Sequence, residues 1–542
     1  MRRIFAVLTA VLLLFTLTAC GDDGTGMGFR LPIDGEPRQL DPQSATEASS
    51  VTVISALFEG LTRLDANGVV VDGAATYTVS DDGLTYTFTL KESYWSTIAI
   101  RGEQTDWDEP TRVTAHDFVF GWQRAVSPDN QSGTATALYG IKNAEAIHKG
   151  KKKLSTLGVK AVSDTELTVT LEKADPAFLA RLATAPFMPC DKQFFDYTAG
   201  RYGLETKYLI SNGAFSLTAW NHDQSLLLNK NEHYHAADTV APSVVRFVID
   251  AEDAADALTS GSLDAAYLPA DAVDGARDAG VSVYSLSDSV RGVYFNTAVP
   301  VLSNAFVRRA LRDAIEWTTV YDHLAAAGEP KATGYIPPDA LVVNETYRSG
   351  DNAATWSTRV DASQAALGVG LAAVYPEESA PAMPRLTFLA AKDAVSADTA
   401  RYIVQSWQKN LKLSCSLELV SEQTLAARVK SGSYQIALYT AVGGGLTAAD
   451  NLTAFVSGAG NNLTGFADAA FDAAATAAAR GGRSQVTAAE ALLRNDCPII
   501  PVSFPHRAYG VAANCEGITV RPFGGGTYGG EYEFLQAKKF DD

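Results

Sequence analysis

The stretch from Ser80 to Trp122 decides the fold, and it reads SDDGLTYTFTLKESYWSTIAIRGEQTDWDEPTRVTAHDFVFGW. It opens with a turn signal, because Gly83 can adopt a positive φ without a steric penalty. After the turn, large apolar side chains alternate with threonines, and these apolar residues are Tyr86, Phe88 and Leu90. A period of two is typical of a strand with one buried face. We therefore predict a strand from Leu84 to Leu90.

The second half of the stretch predicts a capped helix. Thr114 can cap a helix that begins near Ala115, and Asp117 lies close to the positive end of the helix dipole. The apolar side chains that follow, up to Trp122, fall on one helical face. The polar loop from Thr97 to Arg112 is long for a compact domain. None of these residues indicates catalysis.

Length and composition indicate a soluble protein of two or three lobes. A chain of 542 residues is too long for one hydrophobic core, and 46% hydrophobic with 20% charged residues is ordinary for a globular protein. The formal net charge of −18 argues against nucleic acid and against anionic membrane surfaces as partners. This charge favours solubility and identifies no ligand.

The N-terminus predicts a lipoprotein signal peptide over residues 1–20. Arg2 and Arg3 precede an apolar run, Ile4 to Leu17, that is too short to span a membrane stably. The run ends in Leu17-Thr18-Ala19-Cys20-Gly21, the pattern of a bacterial lipobox, in which cleavage precedes Cys20 and lipid is attached to it. We therefore expect an extracytoplasmic protein that is lipid-anchored to the outer face of the cell membrane, or periplasmic. The alternative is a plain secretory peptide with a chance cysteine.

Export gives the later cysteines an oxidising environment. Cys497 and Cys515 flank a segment that predicts a hairpin turning near Pro505 to Arg507, which would place the two sulfurs opposite each other. We therefore expect a disulfide between Cys497 and Cys515. Cys190 and Cys415 are predicted to be buried thiols.

Alternating strand and helix patterns fill the rest of the chain and predict an α/β protein. The longest helix is predicted from Ala305 to Ala325, and a strand from Tyr434 to Tyr439 leads into the Gly-rich loop Thr440 to Thr447. His222, His233 and His235, with Glu232, suggest a metal site as an alternative to a structural turn.

Taken together and in order, these segments resemble the extracellular solute-binding proteins of peptide ABC importers, the oligopeptide- and dipeptide-binding lipoprotein family known as family 5. The matching pieces are Glu36 to Pro42, Leu57 to Leu61, Ser80 to Leu90 with Trp95-Ser96, Val113 to Phe118 with Trp122, Asn212 to Phe215 with Trp220, Lys230-Asn231 with Tyr234, Gly261 with Leu263-Asp264, Asn296, and Phe306 to Leu311. The resemblance implies an α/β, two-lobe periplasmic-binding-protein-like fold of the class II type, with an additional subdomain and a ligand cleft between hinged lobes.

The resemblance also implies how the chain is divided. The first lobe takes residues 21–60, 186–288 and 508–542. The additional subdomain takes residues 61–185, and the second lobe takes residues 289–507. Against this pattern the loop from Thr97 to Arg112 is a surface elaboration of the subdomain.

The function implied is that of a monomeric, non-enzymatic binding protein without a cofactor. It would capture oligopeptides in the cleft and deliver them to the permease subunits of an ABC importer, and it would meet the membrane through its lipid anchor only. Two alternatives use the same fold. One is a peptide-sensing or adhesion lipoprotein, and the other is an importer binding protein for a non-peptide solute.

Candidate ligand-binding residues follow from the same resemblance. Those of the first lobe and the subdomain are Thr46, Glu47, Ala48, Tyr139 and Tyr267. Those of the second lobe and its boundary are Tyr439, Thr440, Gly443, Gly444, Asp450 and Phe504. The family loop usually carries a Trp and an Asp that grips the ligand ammonium, whereas residues 439–451 contain no Trp and one acid, Asp450. Asp450 either binds an ammonium group or caps the following helix, and the pattern favours the cap.

Overall fold

The computed structural model describes residues 28–66, 68–98, 107–175, 177–342, 345–348, 355–379, 381–479, 481–523 and 530–540. The signal peptide and the lipidated Cys20 predicted above lie outside the described residues. No helix in the described ranges is both long and apolar enough to cross a bilayer.

The strands are short and are spread along the whole described chain. In chain order they are β1 (Gly28–Ile33), β2 (Thr62–Leu64), β3 (Val70–Asp72), β4 (Ala75–Val79), β5 (Thr85–Leu90), β6 (Val159–Ala161), β7 (Glu166–Thr170), β8 (Phe215–Asn221), β9 (Ser225–Lys230), β10 (Val244–Ile249), β11 (Ala265–Leu268), β12 (Ser282–Leu286), β13 (Ser289–Phe295), β14 (Leu341–Val342), β15 (Glu345–Thr346), β16 (Leu386–Ala391), β17 (Cys415–Val420), β18 (Ile436–Val442), β19 (Ile499–Ser503), β20 (Arg507–Val511), β21 (Cys515–Glu516), β22 (Thr519–Val520), β23 (Tyr532–Glu533) and β24 (Lys538–Lys539).

The longer helices lie in the second half of the chain. The α-helices are α1 (Ala48–Leu57), α2 (Ala115–Ala125), α3 (Ala144–His148), α4 (Phe178–Arg181), α5 (Lys192–Tyr197), α6 (Ala254–Thr259), α7 (Val273–Asp278), α8 (Pro300–Ser303), α9 (Ala305–Asp313), α10 (Trp317–Ala326), α11 (Val360–Val374), α12 (Ala394–Leu411), α13 (Glu422–Lys430), α14 (Ala448–Leu452), α15 (Ala469–Ala478) and α16 (Arg483–Asp496). Short 3-10 turns occur at Thr134–Leu138, Leu154–Thr156, Ala185–Phe187, Thr206–Tyr208, Ala237–Thr239 and Thr453–Phe455.

Two sheets lie in the segments that the resemblance assigns to the first lobe. One has the strand order β1-β10-β9-β8, in which β1 runs parallel to β10 and the other pairs are antiparallel. The other has the order β11-β20-β12 and is antiparallel throughout. The central strand of this second sheet, β20, comes from the far end of the chain, so the first lobe is assembled from distant segments.

A subdomain is built on the first lobe from the antiparallel sheet β4-β5-β7-β6 and helix α2. The strand predicted there is confirmed as β5, and Tyr86, Phe88 and Leu90 are its buried residues. The helix prediction is also confirmed, since α2 begins at Ala115 after the N-cap Thr114. The subdomain shares one continuous apolar core with the first lobe.

The second lobe is a three-layer arrangement around a five-stranded sheet with the order β17-β16-β18-β13-β19. Alternate residues of β13 enter different cores, Val293 and Phe295 on one face and Tyr294 on the other. The first of these cores also contains residues of α9 to α12, and the second contains residues of α13 to α16. The sheet is therefore covered on both faces, as expected for an α/β lobe.

The long helix predicted from Ala305 to Ala325 is wrong in one respect, because α9 ends at Asp313 and α10 begins at Trp317. Two side chains from other parts of the lobe bind the backbone at the break. The Glu316 amide donates to Ser406 Oγ at 3.0 Å, and the Trp317 amide donates to Thr358 Oγ1 at 3.1 Å. These acceptors replace helical hydrogen bonds, so the break depends on tertiary contacts.

The disulfide predicted between Cys497 and Cys515 is wrong, since both residues are free thiols in the structure. The hairpin on which it depended does not form. Strand β19 pairs with β13 in the second lobe, whereas β20 pairs with β11 and β12 in the first lobe. The chain therefore crosses between the lobes at residues 504–506, as it also does at residues 287–288 between β12 and β13. We call these two crossings the hinge.

Candidate functional site

A cavity of about 480 Å³ lies between the two lobes, and we call it the central cavity. Thr46 comes from the first lobe, immediately before α1, and Tyr139 comes from the subdomain. Asp450 and Ala479 come from the second lobe, on α14 and just after α15. Three of the candidate residues, Thr46, Tyr139 and Asp450, are thus brought together from positions far apart in the sequence.

The acidic side chains of the central cavity are already engaged by neighbours. Asp175 forms an ion pair with Arg181. Asp450 belongs to a capping box at the start of α14, where its Oδ2 accepts from Thr447 Oγ1 at 2.6 Å and from the Thr447 amide at 3.1 Å. A capping role is thus confirmed for Asp450, but Thr447 is the N-cap residue and Asp450 acts from inside the helix, at its third position. This hydrogen bonding occupies one carboxylate oxygen.

A second cavity, of about 790 Å³, lies on the first lobe beside the hinge, and we call it the hinge-side cavity. Ala48, at the first turn of α1, and Tyr267, on β11, line it together with Glu531. Thr46 thus lines the central cavity and Ala48 lines the hinge-side cavity. The N-terminus of α1 therefore lies at the boundary between the two cavities. Glu47 is the N-cap residue of α1, and its carboxylate lies 3.5 Å from Arg38.

A buried ion pair fixes the hinge. Asp288 is fully buried and accepts from Arg507 Nε at 2.8 Å as well as from Arg507 Nη2. The Phe523 amide donates to the same carboxylate at 2.7 Å. Asp288 belongs to one hinge crossing and Arg507 directly follows the other, so the pair ties the two crossings to each other. The Arg507 guanidinium also lies 4.5 Å from the ring centroid of Tyr267, a cation–π contact at the wall of the hinge-side cavity.

Burial shifts the ionisation of groups around the hinge-side cavity. It raises the pKa of the Glu531 carboxyl to about 7, and the Asp34 carboxylate adds to this rise, while Tyr267 and Arg507 oppose it. Burial also raises the pKa of the Tyr267 hydroxyl, with Glu531 as the next cause. Glu531 is therefore a carboxyl group that changes charge close to neutral pH.

The Gly-rich loop packs against the hinge. The Gly443 amide donates to the Asp288 carbonyl oxygen at 2.8 Å, and the Gly444 amide donates to Asn451 Oδ1 at 3.1 Å. A Cβ atom on Gly443 would overlap the Asn451 side chain and lie 2.7 Å from the Phe523 ring. The two amides are thus paired within the protein, and glycine at position 443 permits a close approach of backbone and ring.

The remaining candidates lie outside these two cavities. Tyr439 is half-buried on β18, with its ring 5.7 Å from that of Tyr294, and Thr440 pairs with Arg291 on β13. Phe504 is buried in a small apolar cluster with Val290 and Ala332. Their geometry favours packing roles, and contact with a ligand stays a prediction for all three.

Two of the three histidines considered as metal ligands bind separate carboxylates. His222 Nδ1 lies 2.7 Å from Glu36, and His235 Nε2 lies 2.5 Å from Glu59. Within the described ranges no group of three or more His, Cys, Asp or Glu side chains is arranged to hold a metal ion.

Residues 68–463 match the family model described as bacterial extracellular solute-binding proteins, family 5 Middle. The chain belongs to the family 5 bacterial extracellular solute-binding proteins. The resemblance recognised in the sequence is thereby confirmed.

Relatives and solved structures of this family cover nearly all of the chain. The oligopeptide-binding protein OppA of Bacillus subtilis is 28% identical over 465 residues, which are 80% of this chain and 81% of that protein. The structure of the murein tripeptide-binding protein MppA of Escherichia coli is 25% identical, covers 96% of this chain and 99% of its own, and gives a TM-score of 0.71. The structure of Listeria monocytogenes OppA bound to peptide is 22% identical, with coverage of 96% and 100% and a TM-score of 0.72. The two-lobe solute-binding fold is thus confirmed.

The hinge ion pair and the Glu531 carboxyl of this family 5 protein could not be found from the sequence. Glu531 lies near the C-terminus, and only the tertiary fold brings it beside Tyr267. Asp288 and Arg507 are 219 residues apart. In the sequence, the one local indication of this ion pair is that Asp288 and Arg507 both lie at predicted lobe boundaries, where an acid and a base can pair across a hinge.

Proposed function

We propose that this protein captures peptides between its two lobes and delivers them to an ABC importer. The central cavity supports the proposal most directly, because both lobes and the subdomain contribute to its wall. A ligand held there contacts both sides, so its binding free energy favours the closed arrangement of the lobes. The relatives named above for binding oligopeptides and a murein tripeptide support peptide as the ligand class.

The hydrogen-bonding groups at the cavity suit a ligand of varied sequence. Peptides share a backbone, and main-chain hydrogen bonds give affinity without selecting side chains. Thr46, in the extended segment before α1, is exposed at the cavity wall. Asp450 is engaged as a cap, which favours ligands whose N-terminal ammonium is not gripped by that carboxylate.

Native mass spectrometry of protein purified without refolding tests the ligand class. We expect retained masses that fragment as peptides, and peptide-free protein should regain them from a peptide mixture, with dissociation constants measured by calorimetry. A retained non-peptide mass, together with no heat on adding peptides, would contradict the proposal.

The lipid anchor is a separate part of the proposal and needs its own test. We propose that Cys20 carries the lipid and holds the protein at the outer face of the cell membrane. Metabolic labelling with a radioactive fatty acid should label the wild-type protein and fail to label the Cys20→Ala variant. Cys190→Ala is the matched control and should keep the label.

A further inference from the structure

A third cavity, of about 300 Å³, lies between the subdomain and the second lobe, and we call it the apolar cavity. Val70 on β3 and Ala180 on α4 line it from the subdomain side. Leu446, Ala479 and Val486 line it from the second lobe. Among the described residues that line it there is no charged side chain, and nearly all of them are aliphatic or glycine.

The two polar side chains at its wall, Tyr77 and Thr447, leave the cavity predominantly apolar. The Thr447 hydroxyl donates to Asp450 Oδ2 at 2.6 Å and is thereby engaged in the cap of α14. Tyr77 presents an aromatic ring that packs 6.0 Å from Phe88. The cavity therefore offers an apolar surface on both sides and is unfavourable for water.

The apolar cavity adjoins the central cavity. Ala479 lines both of them, and Thr447 and Asp450, joined through the capping box, line one cavity each. A ligand side chain that passes Ala479 from the central cavity would enter the apolar cavity directly. This shared wall favours part of the same ligand as the occupant.

We propose that the ligand carries a large aliphatic or aromatic side chain that fills the apolar cavity. This inference rests on the proposed peptide-binding function and names the class of peptide. An apolar cavity of about 150 Å³ takes up benzene, so a cavity of about 300 Å³ has room for a leucine, phenylalanine or tryptophan side chain. A charged or hydroxylated side chain finds no described partner there and loses its hydration on entry.

The same side chain strengthens the contact between the lobes. Leu446 of the second lobe packs with Val70 and Ala180 around Leu64 and Ala183 of the subdomain. At the β2–β3 turn, Leu446 Cδ2 lies 3.3 Å from the position of a Cβ on Gly68. The apolar cavity adjoins this contact, so a ligand side chain that fills the cavity adds apolar area between the lobes and favours their closed arrangement.

Calorimetric titration of a pentaalanine series tests the proposal, with Leu, Trp, Ser or Lys placed at each position in turn. At one position we expect the Leu and Trp peptides to bind about 10- to 100-fold tighter than the Ser and Lys peptides. Equal affinities at all positions would contradict the apolar side-chain pocket while leaving peptide binding intact. Failure of every peptide to bind would instead contradict the proposed function.

Two variants locate the preference. Ala180→Trp fills the apolar cavity from the subdomain side, and Leu446→Asp places a carboxylate in its opposite wall. Each should reduce the apolar preference to less than about threefold. The control is Leu204→Asp, which changes an exposed leucine outside the three cavities and should keep the full preference. Because Leu446 is only half-buried, Leu446→Asp is expected to fold even if Ala180→Trp does not. An unchanged apolar preference in Leu446→Asp would contradict the assignment of the ligand side chain to the apolar cavity.

Discussion

At the scale of single residues, Asp288 has the largest structural role at the hinge. Its carboxylate is fully buried and accepts from Arg507, the Phe523 amide and Ser289 Oγ. A buried carboxylate is tolerated only when its hydrogen bonds are satisfied, and here the donors lie directly after the two crossings and in the C-terminal segment. The residue thus holds together three parts of the chain.

We predict that Asp288→Ala lowers the free energy of unfolding by about 3 kcal/mol, because Arg507 and the Phe523 amide lose their acceptor. Urea denaturation measures this change. Asp274→Ala is the control, since its ion pair with Arg277 is at the surface, and it should cause no measurable change. Equal stability of Asp288→Ala and wild type would contradict the role of the pair.

Glu531 makes the stability of the folded protein decrease as the pH rises. Its pKa is raised by burial to about 7, above the ordinary value of 4.5, so its contribution to stability is full below pH 4.5 and is lost as the pH rises through about 7. We predict that Glu531→Gln removes this loss. Relative to the variant, the wild type should lose up to about 3 kcal/mol of unfolding free energy between pH 4.5 and pH 8.

Denaturant titrations of both proteins across this pH range measure the difference. Using the difference cancels the contribution of Asp117, whose pKa burial also raises to about 7. A difference that stays constant with pH would show that Glu531 is ionised in the folded protein at its ordinary pKa.

At the scale of elements, helix α14 shows how a short local motif determines the role of a residue. Thr447 and Asp450 are three positions apart and form a capping box, in which the side chain of each residue accepts a hydrogen bond from the backbone amide of the other. This spacing is readable in the sequence, and for that reason the cap could be predicted. Asn451 on the same helix binds the carbonyl oxygens of Gly445 and Thr447, so α14 also fixes the path of the Gly-rich loop.

We predict that Asp450→Ala and Thr447→Ala each destabilise the protein by about 1 kcal/mol, and that the double variant costs little more than either, because both changes remove one shared cap. The Asp450→Ala variant should keep the wild-type ratio of affinities for free and N-acetylated peptides. The control is Asp468→Ala, which removes the N-cap of α15 outside the central cavity. A tenfold drop in that ratio for Asp450→Ala would assign the carboxylate to ligand binding.

At the scale of the whole molecule, the chain passes between the lobes at residues 287–288 and 504–506, and no disulfide joins the cysteines in the described ranges. Cys497 is the C-cap residue of α16 beside the second-lobe sheet, and Cys515 begins β21, which pairs with β24. The lobes are therefore connected by the hinge and by non-covalent contacts, which leaves them able to move relative to each other.

We predict that protein produced without residues 1–20 contains four alkylatable thiols when unfolded without reductant. In the folded state Cys415 should react first, since it is half-buried while Cys190, Cys497 and Cys515 are buried. Mass spectrometry after alkylation counts the thiols, and a reduced sample is the control. Two fewer alkylated thiols in the unreduced sample would contradict this prediction and show that two cysteines form a disulfide.

The sequence by itself determined the features that depend on near neighbours. The alternation in β5, the cap at Thr114, the capping role of Asp450 and the ordered motifs of the family are local patterns, and local propensity is enough to produce them. Only the tertiary structure decided how distant segments meet. Strand β20 pairs with β11 and β12 of the first lobe and does not form a hairpin with β19. The walls of the three cavities come from segments hundreds of residues apart. The physical reason is that strand partners and cavity walls are chosen by burial of apolar area over the whole chain, which a local pattern does not encode.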